Sequence, residues 1–386
     1  MEKSRLLYVM AIVKTFDVII IGGGLAGLTC ALHLSKQNIK VLVIEKNPFP
    51  HHKVCGEYVS NEVLPYLNSL GVDVLTEGAV SISKLKITNI NNKELQTKLP
   101  LGGFGMSRFY LDNLLYEKVK ETSEVIFKTV ESVSFFQENF IVSTQDSTDY
   151  KAKFVIGAHG KRSNIDKKLN RNFIEQKSSW LAIKAHYKYN LSENIVALHT
   201  FNGGYCGLSK TETGAVNACY LTTYNSFKKF KGIDDFQNNN MSENPNLNHF
   251  FSEAIPLFDS PLTIGQISFQ PKKPVENHIF MIGDSAGLIH PLCGNGMAMA
   301  IHSAKLFSEL FLKQHTHKNI ERNQFENEYK KQWNKTFSNR LKTGRFVQKL
   351  FMNEATANLG FTLLNKFPSI LNAIITKTHG KPLNNA

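Results

Sequence analysis

Asp17-Val18-Ile19-Ile20-Ile21-Gly22-Gly23-Gly24-Leu25-Ala26-Gly27 joins an almost wholly apolar, β-branched run to glycines spaced Gly22-x-Gly24-x-x-Gly27. Such a run, with no polar alternation, fits a parallel strand buried on both faces. Leu28 to Leu34 follows as a helix candidate, and a second apolar strand, Val41 to Ile44, ends at Glu45 and Lys46. Each part has a mechanical role in a dinucleotide site. Gly22 permits a tight turn, Gly24 lets the backbone approach a pyrophosphate, and Gly27 lets helix and strand pack closely. Amides at the helix N-terminus, around Leu25 and Ala26, favour phosphate charge. Glu45 can accept hydrogen bonds from both hydroxyls of an adenosine ribose, which argues against a 2′-phosphorylated ligand at this place.

A second glycine-rich constellation stands near the other end. His278 to Gly283 reads as a buried strand with Asp284 at its C-terminal edge. Ser285-Ala286-Gly287 opens a turn, Pro291, Gly294, Asn295 and Gly296 follow, and Met297 to Phe311 reads as a helix. A carboxylate leaving a strand edge can bind a polyol hydroxyl, and glycines let the backbone lie against a planar ring. The new helix N-terminus can stabilise negative charge on that ring.

The remaining composition bounds the answer. With 386 residues and 42% hydrophobic content the chain can form two or three structural domains, and wholesale disorder is excluded. Five scattered cysteines argue against a disulfide scaffold and for a reducing, cytoplasmic setting. His51, His52 and Cys55 lack a second cluster at zinc spacing, so no metal is expected. No apolar run of about 18 residues marks a spanning helix. A short apolar piece, Leu6 to Val13, precedes the first strand, and translation can begin at Met10. The net charge is +13, and residues 301–386 carry 14 Lys and Arg against 5 Asp and Glu, a net of +9. Basic residues between Lys330 and Lys349, followed by apolar Phe361 to Leu364 and Ile370 to Ile375, fit a solvated helix face packed on the body. They also fit peripheral contact with an anionic membrane. No nucleic-acid-binding signature accompanies the charge, so no nucleic-acid partner is expected.

The two glycine sites, with the segments between them, resemble the FAD-dependent oxidoreductases of the aromatic-hydroxylase superfamily. Ser107-Arg108 with Leu111-Asp112 is similar to that family's arginine-plus-helix segment, which implies that Arg108 approaches the cofactor. Phe154 to Ser163 resembles its second flavin fingerprint, with His159 in place of the usual aspartate. Within the superfamily, Pro50-His51-His52-Lys53-Val54-Cys55-Gly56 is similar to the geranylgeranyl-reductase branch, which implies that Cys55 lies near the flavin as a proton donor or cavity liner. Tyr205-Cys206-Gly207-Leu208-Ser209-Lys210 resembles that branch's substrate-cavity motif and makes Tyr205 a cavity residue. Gly207 replaces its tryptophan and Ser209-Lys210 its Phe-Pro pair, which argues against a long prenyl substrate. Gly56-Glu57 and Leu64-Pro65 resemble halogenases faintly, without their lysine-bearing and Trp-x-Trp-x-Ile-Pro segments.

The fold implied is α/β. A discontinuous Rossmann-like FAD-binding domain covers 15–78, 102–165 and 275–325, and an antiparallel-sheet substrate domain covers 79–101 and 166–274. A C-terminal helical segment covers 326–386. Asn238 to Asn248 reads as a surface loop. The expected cofactor-binding residues are Gly22, Gly24, Leu25, Ala26, Gly27, Glu45, Lys46, Arg108, Asp284, Gly294, Asn295 and Gly296. The chemistry implied is reduction or desaturation of a C=C bond in a hydrophobic, isoprenoid-like or polyketide-like molecule, with FAD as cofactor and NAD(P)H or a separate carrier as reductant. Hydroxylation of an aromatic substrate is the alternative, ahead of halogenation or a non-enzymatic flavin-binding role.

Overall fold

The decisive apolar run forms a strand, Lys14–Ile21, at the hub of the first sheet. It pairs in parallel with Val41–Glu45 on one side, with Ile21 opposite Ile44, and with Asp149–Gly157 on the other, with Ile21 opposite Gly157. The strand order is Val275–Glu276, Ile279–Met281, Asp149–Gly157, Lys14–Ile21, Val41–Glu45, Glu124–Phe127. A hairpin, Val130–Phe136 and Asn139–Thr144, extends from Asp149–Gly157. Val18, Ile19 and Ile20 are fully buried, each contributing about 1.5–3 kcal/mol of hydrophobic stabilisation. Helix Leu25–Ser35 is buried along its whole length and packs against helix Gly296–His315. The parallel strands therefore end together at Ile21, Glu45, Gly157 and Met281, the edge where open α/β sheets bind ligands. This is a computed structural model, and it describes residues 13–176, 178–315, 321–352, 360–361, 363–364 and 366–384. The leader up to residue 12, with Met10, lies outside the described residues.

The second sheet is mixed and, among the described residues, has nine strands. Trp180–Lys188, Val216–Thr223, Gly204–Lys210 and Ile195–Phe201 run antiparallel in that spatial order, and Val80–Thr88 then joins Ile195–Phe201 in parallel. Tyr58–Ser60 also belongs to this sheet, through Glu94–Gly105. It comes from within 15–78, so the two sheets share a covalent link near the expected cofactor edge. One face of the sheet buries Ile183, Tyr187, Leu208 and Tyr220 against Phe236, Leu247 and Phe250. Those last residues correct the loop expected at Asn238 to Asn248. The segment instead ends one helix, Ile233–Asn239, and starts another, Pro245–Glu253. The asparagines serve the helices: Asn244 caps the second through Asn246 N and donates to the Thr200 carbonyl at 3.0 Å.

Helix Arg322–Met352 and helix Pro368–Thr378 close the molecule on the other side. Phe361, Leu364, Leu371 and Ile375 pack on Leu85, Ile87, Leu99 and Val196 of the second sheet. Among the described residues no helix is long and apolar enough to cross a membrane.

Several histidines are buried without a carboxylate partner. Burial lowers His199 and His290 from the ordinary value near 6.5 to about 3. The folded chain then binds fewer protons than the unfolded chain between those values, so the stability these groups confer is complete above pH 6.5 and is lost as pH falls toward 3. The thermal midpoint followed by circular dichroism is expected to drop steadily on acidification through this window, with His199→Gln flattening part of the slope. A midpoint independent of pH there contradicts this account.

Candidate functional site

The three glycines of the first turn have different neighbours. Gly22 has φ of +109°, and a side chain there would overlap the Ala158 carbonyl. A side chain at Gly27 would overlap the Gly22 carbonyl. Both glycines are thus fixed by packing of helix on strand. Gly24 is not: a Cβ there would find only Arg108 Nη2, at 3.7 Å, so the backbone faces open space. The first intrahelical bond runs from Leu28 N to Gly24 O at 2.9 Å, which leaves the amides of Leu25, Ala26 and Gly27 free of helical partners. Glu45, at the end of the second strand, is held by Gly23 N at 2.7 Å and Asn47 N at 3.2 Å. Open backbone, unpaired amides and a fixed carboxylate are what an adenosine diphosphate moiety requires.

Arg108 opens helix Arg108–Val119 and projects toward Gly24. Its guanidinium makes a two-pronged pair with Asp112, at 2.7 and 2.8 Å, and Lys53 adds a third contact to the same carboxylate at 2.8 Å. Burial alone would raise the Asp112 carboxyl, but Arg108 and Lys53 hold it below its usual range. Cys55 lines the same cavity and interacts electrostatically with the Arg108 guanidinium. On the opposite wall, Asp284 follows the strand Ile279–Met281 on a short turn, and its carbonyl accepts from Lys272 at 2.8 Å. Burial pushes Lys272 down to about 8. Gly294 has φ of +62°, with the Tyr58 ring 3.3 Å from its missing Cβ, and Gly296 starts the 20-residue helix.

These elements enclose one continuous cavity of about 570 Å³. Gly22, Gly24, Leu25, Ala26, Glu45, Lys46, Arg108, Asp284, Gly294 and Gly296 line it, as do Cys55 and Tyr205. Gly27 and Asn295 do not. Gly27 lies at the helix–strand contact. The fully buried Asn295 turns away, and its Nδ2 donates to the Thr378 carbonyl at 2.7 Å. Tyr205 stands on the second-sheet wall, its hydroxyl held protonated by burial.

The sequence reading missed a buried charge cluster beside the cavity. Glu57 has φ of +55° and no exposed surface. Its carboxylate accepts from Lys184, from His186 Nε2 at 2.7 Å and from the Arg108 amide at 2.8 Å. Burial would raise this carboxyl, but His186 and Lys184 hold it low. The available signal was Lys184 and His186 two positions apart in an otherwise apolar strand. His52, Glu57 and His186 place ligand atoms within 4.8 Å of one another. Lys184 already neutralises the carboxylate there, so the arrangement is an ion-pair network. His159, in place of the usual aspartate, pairs with Asp166 at 3.0 Å and lines the cavity.

A model of the FAD binding domain family matches residues 15–314. The chain belongs to that family. It is an FAD-dependent oxidoreductase. Digeranylgeranylglycerophospholipid reductase of Methanococcus vannielii is 25% identical over 364 residues, covering 90% of each chain. The FAD-dependent monooxygenase atnA of an Arthrinium species is 25% identical over 344 residues, covering 76% of this chain and 44% of its own. The chain likewise spans 62% of the length of conditioned medium factor receptor 1 of Dictyostelium discoideum, at 25% identity over 76% of this chain. In fold, it superposes on the flavin-dependent brominase Bmp2 with a TM-score of 0.78 at 17% identity, covering 94% of this chain and 92% of that one.

Gly24→Val is expected to fill the cradle while leaving the apoprotein folded, lowering the flavin content of purified protein at least about tenfold. Gly27→Val is expected to lose soluble folded protein, because its side chain has no free space. Equal behaviour of the two variants in absorbance and thermal melting contradicts the division of roles.

Proposed function

We propose that this FAD-dependent oxidoreductase hydroxylates an apolar, activated-ring substrate held between the second sheet and the flavin. The observation that carries the reading is the chamber wall: Ala182, Leu221, Ile267 and Leu288 pack with Tyr205 and Phe269 into an apolar surface facing the cofactor motifs. Oxygen transfer from a flavin requires exclusion of water, and a predominantly apolar wall favours it. Bound FAD supplies the redox chemistry. The chain supplies the rest. Gly24 and the first-turn amides hold the phosphates, Glu45 the ribose, and Arg108 with Asp284 the middle of the cofactor. The N-terminus of helix Gly296–His315 favours negative charge on the flavin ring. NAD(P)H or a separate electron carrier is the reductant.

A second reading, reduction of a C=C bond in an isoprenoid-like or polyketide-like molecule, is favoured by Cys55. Its thiol faces the cavity beside Arg108, where it can deliver the proton that complements hydride transfer to one alkene carbon. The archaeal reductase resemblance agrees with it. Anaerobically reduced holoenzyme, mixed with oxygen and an alkylphenol, is expected to yield hydroxylated product carrying oxygen from O2. Reoxidation by an alkene under nitrogen, slowed at least about tenfold by Cys55→Ala with FAD retained, replaces hydroxylation with the reductase reading.

Peripheral contact with an anionic membrane is part of the same proposal. Phe346 is 61% exposed, and Leu363, Phe367 and Ile370 are exposed beside Lys342 and Lys366. Apolar residues flanked by cations suit an anionic lipid surface. Co-sedimentation with phosphatidylserine vesicles is expected to fall at least about fivefold in Phe346→Ser/Phe367→Ser. Unchanged sedimentation removes this role.

A further inference from the structure

One row of residues crosses the cavity face of the second sheet. Lys184 is in register with Cys219, Cys219 with Gly207, Gly207 with Leu198 and Leu198 with Ile87. At about 4.8 Å per strand the row spans roughly 19 Å. Its first end lies beside the cofactor motifs, since Lys184 pairs with Glu57, whose carboxylate also receives the Arg108 amide. Its other end lies in an apolar arm of the same cavity, walled by Ile87, Leu99 and Val196 of the sheet and by Leu364, Leu371 and Ile375 of the C-terminal helices. Gly207 stands between the two.

The neighbouring strand glycines are demanded by packing. A side chain at Gly103 would overlap the Tyr58 ring, and one at Gly204 would overlap the Leu221 carbonyl. Gly207 has no such reason. A Cβ there would meet only Leu198 Cδ2 at 3.5 Å and the Cys219 carbonyl at 3.7 Å, both ordinary contacts. Its φ is not positive, so other residues can adopt its backbone conformation. A glycine inside a strand weakens it and often marks close approach of a ligand. The strand accepts that loss where a side chain would project into the cavity that Cys219 and Leu198 also line.

We propose that Gly207 determines substrate specificity by keeping open the passage between the flavin-facing chamber and the apolar arm. The ligand class this fits is an amphipathic molecule with its reactive head at the flavin end and a linear apolar tail that crosses Gly207 into the arm, so the room beside Gly207 reverses the expectation that a glycine in place of tryptophan argues against a long apolar substrate. The inference rests on the proposed reading of this cavity as the substrate chamber, and it holds for either chemistry.

The test uses the full-length, FAD-loaded protein and para-alkylphenols from methyl to dodecyl, with binding measured by titration calorimetry. Affinity of the unaltered protein is expected to rise about three- to fourfold per methylene as the tail enters the arm. Gly207→Phe is expected to bind the methyl compound within about twofold and the dodecyl compound at least about 30-fold more weakly. Gly207→Ala, whose methyl fits, is expected to match the unaltered protein within about twofold. Gly207→Val, β-branched and suited to a strand, is expected to give an intermediate loss, and it decides the matter if the Phe variant does not fold. A chain-length series that is flat in the unaltered protein, or equally steep in the Phe or Val variant, overturns the proposal. Calorimetry needs no turnover. Absence of hydroxylated product therefore counts against the proposed chemistry, while the length series reports on the passage by itself.

Discussion

Everything in this molecule depends on how closely one helix approaches one strand. The Gly27 position touches the Gly22 carbonyl, and Gly22 in turn lies against Ala158 at the end of the neighbouring strand. With no side chain at either glycine, helix Leu25–Ser35 seats directly on the sheet, and its N-terminus points into the crevice at the strand ends. A single methyl group at this contact would lift the helix and misdirect the amides at its N-terminus. Close packing leaves little slack to absorb such a shift. Gly24, two residues from the turn, is free for the opposite reason: its emptiness is turned toward the ligand.

The second constraint is electrostatic and joins the two sheets. Glu57 is buried in a left-handed conformation, reached by Lys184 and His186 from the second sheet and by the amide that starts the Arg108 helix. Burying such charges is costly, and removing one partner of a buried pair costs ~3–5 kcal/mol, because the remaining charge is left uncompensated. Their value lies in geometry. The helix that carries the Arg108 guanidinium starts from an amide held by a carboxylate that the second sheet also grips. Glu212 reinforces this from the same side, accepting from Ser107 N at 2.7 Å and Ser107 Oγ at 2.6 Å.

The C-terminal helices act on the second glycine turn in a comparable way. The Asn295 amide donates to the Thr378 carbonyl, and the buried Glu62 carboxylate accepts from Arg340 at 3.0 Å and from the Gly380 amide. Gly344 allows helix Arg322–Met352 to pass 3.1 Å from Ile289, measured from its missing Cβ. The second glycine turn is therefore braced by the same segment that walls the apolar arm.

The sequence by itself determined the strand, glycine turn and helix with which the FAD binding domain begins. Apolar strand, spaced glycines, packed helix and terminal acid all lie between Asp17 and Glu45, so a local pattern encodes them, although Gly22 also answers to Ala158 of a distant strand. The long helix after Gly296 was legible for the same reason, through periodicity. Asn238 to Asn248 was misread because asparagine signals both loops and helix caps, and only the apolar partners Phe236, Leu247 and Phe250 decide which. Asn295 was placed among cofactor ligands by adjacency, whereas its side chain answers to a carbonyl 83 residues away. Which carboxylate Lys184 and His186 serve, and what stands beside Gly207, belong to the tertiary structure. Charge partners more than 100 residues apart, and the emptiness beside a glycine, are set by which strands lie next to one another, and no local pattern encodes that.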